Sequence, residues 1–299
     1  MSTALPAMTP PPYTTLISAT ALHALQAGGA PLMVFDCSFD LTQPAAGRAL
    51  FEQSHIAGAV FADLNEDLST HSPAFSGHAV NGGRHPLPSR EDFARRLGQM
   101  GFHNGMQAVV YDRHGMNYCG RLWWMLKWLG HEAAAVLDGG LQAWIAAGGS
   151  VATGPASPAP AAQLTLQQPL LDWVTATSVQ EQLGRASQTV LDARAPARFR
   201  GEVEPFDPVA GHIPGALNRP FNQNTGADGL MKPAAVLREE FHALLGDRDP
   251  ASVVHHCGSG VSAVPNILAM QVAGLGPTRL FAGSWSEWCS DPARPVTKG

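Results

Sequence analysis

The stretch His55-Ile56-Ala57-Gly58-Ala59-Val60 returns in the same chain as His212-Ile213-Pro214-Gly215-Ala216-Leu217. Self-similarity of this kind decides architecture first, because a recurring supersecondary pattern means a recurring fold. About twenty residues ahead of each copy lies an apolar run ending in Asp, at 32–36 and 189–192. A further β-rich run follows each copy, at 108–111 and 252–255. Beyond these, Leu137-Asp138-Gly139-Gly140 with Trp144 is echoed by Phe281-Ala282-Gly283-Ser284 with Trp288. Echoes in one order and at near-equal spacing identify two copies of one domain. Between them, residues 150–162 are mostly Pro, Ala, Gly and Ser without hydrophobic periodicity, which is the composition of a connecting segment. The expected division is a disordered tail at 1–12, a first domain at 13–150, a linker at 151–164 and a second domain at 165–299.

Within each copy, short apolar runs alternate with helical patterns, among them 90–100, 121–129, 235–245 and 264–273. That alternation predicts an α/β fold in which each copy is a mostly parallel sheet with helices on both faces. Ligands of such sheets sit beyond the C-terminal ends of the strands. The loops after Val110-Tyr111 and Val254-His255 are therefore where chemistry is expected.

Composition narrows the function classes. The 299 residues are 45% hydrophobic, enough to build cores, and carry 19 Lys+Arg against 24 Asp+Glu, a net charge of -5. A nucleic-acid binder needs a basic surface to displace phosphate counterions, and none is present. No apolar run reaches the roughly 18 residues that span a bilayer. The first twelve residues hold three consecutive prolines and no basic residue ahead of an apolar stretch, so they do not read as a secretory signal. Cys37, Cys119, Cys257 and Cys289 are scattered and lack CxxC pairing, which argues against a disulfide framework and against a zinc site. A reducing cytoplasm is the expected compartment. His255-His256 does not make a metal site either, since neighbours on a strand face opposite ways.

One cysteine has a distinct setting. Cys257-Gly258-Ser259-Gly260-Val261-Ser262 lies between a strand and a helical run. Two glycines let the backbone turn tightly and aim its N–H groups inward, and the N-terminal end of the following helix faces the same point. A thiolate at Cys257 is stabilised by both, and the same cradle suits a terminal sulfur or an anionic oxygen. A cysteine phosphatase needs an arginine fork six positions after its cysteine, where this chain has Ala263, so phosphatase chemistry is disfavoured. Cys37, Cys119 and Cys289 read as packing residues. Trp123, Trp124 and Trp128 read as core and interdomain packing, Trp285 and Trp288 as core, and Glu202 with Glu204 as a solvated loop face.

The loop Cys257-Gly258-Ser259-Gly260-Val261-Ser262-Ala263 resembles the active-site loop of the two-domain rhodaneses, the thiosulfate and 3-mercaptopyruvate sulfurtransferases. The resemblance extends over Asp192-Ala193-Arg194, Arg198-Phe199-Arg200-Gly201, Gly211-His212-Ile213-Pro214-Gly215 and Gly283-Ser284-Trp285-Ser286-Glu287-Trp288. It implies two tandem rhodanese-like domains, the second catalytic, and transfer of sulfur through a Cys257 persulfide to a thiol or cyanide acceptor. It implies no cofactor and no metal. A thioredoxin-like reductant is a further expected partner, and a monomer is expected. Gly258-Ser259 is closer to the mercaptopyruvate branch, since the thiosulfate branch typically has Arg and Lys there. In the first domain, Arg113 is expected to match Cys257.

The same resemblance assigns the donor's anion to Arg198, the persulfide cradle to Gly258, Gly260, Val261 and Ser262, and a Ser–His–Asp relay to Ser259 and His85. His78 competes with His85, and the relay's Asp position falls on Asn65, two residues after Asp63. A second substrate arginine that the mercaptopyruvate branch carries before Gly-His-Ile-Pro-Gly is missing from Glu202-Val203-Glu204-Pro205-Phe206-Asp207-Pro208. Arg200 and Arg219 are the candidate replacements. Thiosulfate as donor, and a non-catalytic persulfide carrier, remain the alternatives.

Overall fold

The computed structural model describes residues 11–71, 75 and 78–299, so most of the expected tail lies outside the described residues. The repeat appears as two parallel sheets. The first runs in the order Leu16–Ile17, Ala134–Leu137, Gln107–Tyr111, Leu32–Asp36, Val60–Phe61, and the second in the order Arg279–Leu280, Val253–His256, Thr189–Asp192, Leu217–Asn218. Strand for strand these are one topology: a parallel bridge from Trp173 to Leu280 stands where the first sheet has its outermost strand.

Each copy also carries a small antiparallel arm beside its repeated His. His55–Ile56 pairs with Val151–Ala152, and His212 bridges Thr297. Val151 and Ala152 were assigned by composition to the linker and are strand instead. The reason is positional: they are β-branched and small residues that close the edge opened by the first repeat motif.

Alternation along the strands explains why the runs are apolar throughout. Met33, Phe35, Ala108, Val110 and Val136 face one core, while Val34, Val109, Tyr111, Ala135 and Leu137 face another. In the second sheet Leu191 and Val253 face the first of these cores, and Val190 and Val254 face a third. Both faces of each sheet are thus covered, as a parallel sheet requires. The core that both sheets share joins the two domains.

Two helices fill that shared core, Cys119–Trp128 and Val264–Val272. They pack against each other, with Gly120 against Val264 and Pro265. All ten residues of Cys119–Trp128 are buried, Trp123, Trp124 and Trp128 among them. Each helix follows the loop at the C-terminal end of its domain's central strand, so the packing brings the two loops and their domains to one interface. Among the described residues, no helix is long and apolar enough to cross a membrane.

Candidate active site

The register of the sheets fixes which residues correspond. Asp36 pairs with Tyr111 in the first domain and Asp192 with His256 in the second, so the residue matching Cys257 is Asp112. The expectation of Arg113 at that position is corrected by one place. Both loops then have one length, from Asp112 to the helix starting at Cys119 and from Cys257 to the helix starting at Val264.

Arg113 has a different task. Its guanidinium donates to Asp36 at 2.9 Å, to Ser38 and to the carbonyl of Ser54, which precedes the repeated His55. In the second domain Arg194 donates to Asp192 and to the carbonyl of Gly211, which precedes His212, each at 2.7 Å. The same buried clamp is made from different sequence positions, Arg113 bonding the Ser38 that stands where Arg194 would be. Arg113 is structural for that reason.

Asp112 shows what the loop is built to hold. Its Oδ1 accepts the backbone N–H of His114 at 2.8 Å and Met116 at 3.1 Å, and its Oδ2 those of Tyr118 at 2.8 Å and Cys119 at 2.9 Å. A carboxylate held by four N–H groups is a filled anion nest. In the second domain the nest is open. The N–H groups of residues 258–263 donate to no protein acceptor among the described residues.

Cys257 lies at the floor of a cleft of about 200 Å³, with Gly258, Ser259, Val261, Ser262 and Arg198 also lining it. Its N–H donates to Ser284 Oγ at 3.1 Å, and its carbonyl accepts from Trp285. Ser284 holds a φ of 54°, an uncommon conformation for a non-glycine residue. It had no assigned role in the sequence, and only its contact with Cys257 gives it one. Gly260 does not line the cleft but makes the loop's shape: its φ is +76°, and a Cβ there would meet the Ala282 carbonyl oxygen at 2.1 Å. Gly260→Ala is therefore expected to cost about 3 kcal/mol or more of stability, read as a lower urea midpoint.

His85, not His78, meets the loop. Its Nδ1 is 2.7 Å from Ser259 Oγ, whereas His78 is exposed. Asp63 does not complete a relay: its Oδ1 accepts the N–H groups of Asn65 and Glu66 and so closes its own turn. The charged groups acting on His85 are cations. Burial first, then Arg121, Arg84 and His71, push its pKa down to about 3. The arrangement is a Ser–His dyad with a neutral imidazole.

His255, buried behind the loop, is also pushed down to about 3, by burial and then by His256. The unfolded chain binds a proton on each of these histidines below pH about 6.5, while the native state does not until about pH 3. Stability from each is present above that upper limit and falls with pH, by about 1.4 kcal/mol per pH unit. Urea unfolding at pH 4, 5 and 6 is expected to show His255→Leu with a slope flatter by that amount. An unchanged slope would mean that His255 is charged in the native state.

Two expectations about charge are revised. Glu204 is not a solvated loop residue: its side chain is 3% exposed and bonds both Arg194 and Arg198. Neither candidate replacement arginine reaches the cleft. Arg200 pairs with Glu202 at the surface, and Arg219 is tied to Asn224 and Glu240. Besides Arg198 and Arg194, whose guanidinium is tied to Asp192, Gly211 and Glu204, the cleft is lined by Arg84 from the first domain, which the sequence reading passed over. Its neighbour His85 was the only signal available.

Behind the loop stands Arg121, from the first domain and fully buried. It donates to the carbonyls of Gly260 at 3.1 Å, His85 at 2.9 Å and Leu68 at 3.3 Å. Burial pushes it down to about 10, opposed by the charge of Cys257, so it stays a cation at neutral pH.

Comparison with known proteins agrees with this geometry. The model of the rhodanese-like domain matches residues 18–147 and again 175–291. A probable 3-mercaptopyruvate sulfurtransferase of Pseudomonas aeruginosa is 45% identical over 269 residues, covering 90% of this chain and 93% of that protein. A putative thiosulfate sulfurtransferase of Mycobacterium tuberculosis is 40% identical over 95% of this chain and 97% of its own length. The solved 3-mercaptopyruvate sulfurtransferase from Leishmania major superposes with a TM-score of 0.78 at 29% identity, over 93% of this chain and 74% of that one. Two rhodanese-like domains in tandem, each on its own parallel sheet, place this chain in the rhodanese family.

Proposed function

We propose that the chain is a sulfurtransferase that takes sulfur from a small anionic donor, 3-mercaptopyruvate ahead of thiosulfate, and passes it on through a persulfide on Cys257. The observation that carries this reading is the open nest around Cys257, beside a first-domain nest of the same length filled by the Asp112 carboxylate. A persulfide places its outer, negatively charged sulfur where the nest's N–H groups converge, at residues 258–263.

The Cys257 thiolate attacks the donor's sulfur. A new S–S bond forms, the donor's C–S bond breaks, and its electron pair leaves with the three-carbon fragment as an enolate. The proton of the donor thiol ends on that fragment, giving pyruvate. With thiosulfate the bond that breaks is S–S and sulfite leaves. An acceptor thiol or cyanide then takes the outer sulfur and returns Cys257 to the thiolate. Arg198 holds the donor's anionic group. Ser259 lies beside Cys257, and the neutral His85 orients its hydroxyl for the proton's passage. The carried group is sulfur itself, so no cofactor enters.

The four cysteines are unpaired, which fits a reducing compartment, the cytoplasm, and a monomer served by small thiols or a thioredoxin-like reductant. Intact-mass measurement tests the reading. After exposure to 3-mercaptopyruvate the protein is expected to gain one sulfur atom, mapped to Cys257 and lost on addition of cyanide, with thiosulfate giving the same adduct more slowly. No adduct from either donor, with sulfur accepted only from a partner protein's persulfide, would replace the enzyme by a carrier.

A further inference from the structure

We propose that Ser286, on the second-domain helix Ser284–Trp288, is a positioning residue that sets His85 on Ser259 by joining a first-domain strap to the nucleophile loop. Ser286 takes this role within the sulfur-transfer reading of Cys257, on which the inference rests.

The strap is residues 80–87, closed on itself where Val80 N–H donates to the Leu87 carbonyl at 3.0 Å and Leu87 N–H to Asn81 Oδ1 at 2.9 Å. Ser286 bonds both the loop and this strap. Its backbone N–H donates to the Gly258 carbonyl at 2.9 Å, and its hydroxyl accepts the backbone N–H of Arg84 at 3.0 Å. Ser259 follows Gly258 and His85 follows Arg84. One residue thus spans the two backbones whose side chains meet at 2.7 Å. The hydroxyl's own proton goes to the Gly283 carbonyl at 3.2 Å, which leaves the oxygen's lone pairs for Arg84. Strap and helix fit closely. Gly83 holds a φ of +90°, and a Cβ there would meet the Gly283 carbonyl oxygen at 2.6 Å and Ser286 Oγ at 2.7 Å. Next along the helix, the Glu287 carboxylate accepts the N–H of Gly82.

His85 needs such an anchor because it lacks the carboxylate that orients the imidazole of a full relay. Asp63 closes its own turn, and the charges acting on the ring are cations. Its place is set through the backbone instead. Arg121 Nη2 holds the His85 carbonyl at 2.9 Å, and Ser286 holds the N–H of the residue before it. Anchors on both sides of one residue pre-organise its side chain, so no ordering is left for the moment of reaction. The step that depends on this placement is passage of the donor thiol's proton. 3-Mercaptopyruvate brings that proton. Thiosulfate has none to pass, so losing the Ser286 hydroxyl bears on one donor more than on the other.

Steady-state kinetics of Ser286→Ala, His85→Ala and the double variant tests the assignment. With 3-mercaptopyruvate, His85→Ala is expected to lower kcat at least about a hundredfold. Ser286→Ala is expected to lower it about 3- to 10-fold with KM within about twofold, the effect of one lost hydrogen bond on placement. The double variant should match His85→Ala alone, since Ser286 acts only through that ring. Ser286→Thr, which keeps the hydroxyl, is expected to regain most of the loss. With thiosulfate, the loss in Ser286→Ala should stay within about twofold. An unchanged kcat in Ser286→Ala, an equal loss on both donors, or losses that multiply in the double variant would overturn the proposal. Failure of the underlying reading looks different: the unsubstituted protein would then transfer sulfur from neither donor, or Cys257→Ser would remain active.

Discussion

Cys257→Ser is expected to lower turnover on 3-mercaptopyruvate and on thiosulfate by at least about a thousandfold, the scale seen when a covalent nucleophile is removed. The substitution changes one atom. The nest of residues 258–263, the Ser284 bond to the backbone and the arginines of the cleft all stay in place. The donor should therefore still bind, and pyruvate should still compete with it. Only the step that needs a polarizable, anionic sulfur is lost, because a hydroxyl is not ionised at neutral pH and oxygen cannot carry the transferred atom as a persulfide. Sulfide or thiocyanate release, measured with the variant at high concentration, checks this. Activity surviving the change would sink the mechanism, since Cys37, Cys119 and Cys289 do not line the cleft and cannot substitute.

The second large effect is expected at Arg121, which touches neither donor nor acceptor. A guanidinium buried among carbonyl oxygens, with no carboxylate among its hydrogen-bond partners, carries a desolvation cost that a nearby anion offsets. The anionic group that acts on it is Cys257. Its bond to the Gly260 carbonyl also fixes that peptide of the loop. Arg121→Met removes both contributions. Turnover is expected to fall about a hundredfold, with Arg121→Lys between Met and the unsubstituted protein. Full turnover in Arg121→Met would show that the cation serves packing alone.

These two residues mark different depths of reading. Cys257 could be found from the chain because its signal is local: two glycines in a short loop between a strand and a helix. Arg121 sits in a run of tryptophans and leucines that reads as core, and it is core by burial. Its role depends on a helix of the first domain meeting a loop of the second, a contact between residues far apart in the chain. Arg84 was passed over for the same reason, and the replacement for the missing arginine was sought near the gap, at Arg200 and Arg219. Glu204 was misread because a lone acidic residue in a Pro-rich stretch is usually solvated, and nothing local reveals an arginine folding over it.

The match of Arg113 to Cys257 failed by one position, and the cause is instructive. Aligning loops by residue count allows a slip of one, whereas strand pairing does not, because a slip moves every side chain to the opposite face. The pairing of Asp36 with Tyr111 and of Asp192 with His256 settles the register and turns a missing nucleophile into a built-in anion.

By itself, the sequence determined the two copies of one α/β domain, the parallel sheets and the loop that singles out one cysteine of four. These follow from hydrophobic period, glycine placement and repetition, all of which act over a few residues. Tertiary structure alone decided that the first domain lines the cleft with Arg84 and meets the second domain's loop with His85 and Arg121. It also decided that His85 bonds Ser259 with cations, and no carboxylate, acting on its ring. Charge placement and burial are set by which surfaces meet, and here those surfaces lie on different domains.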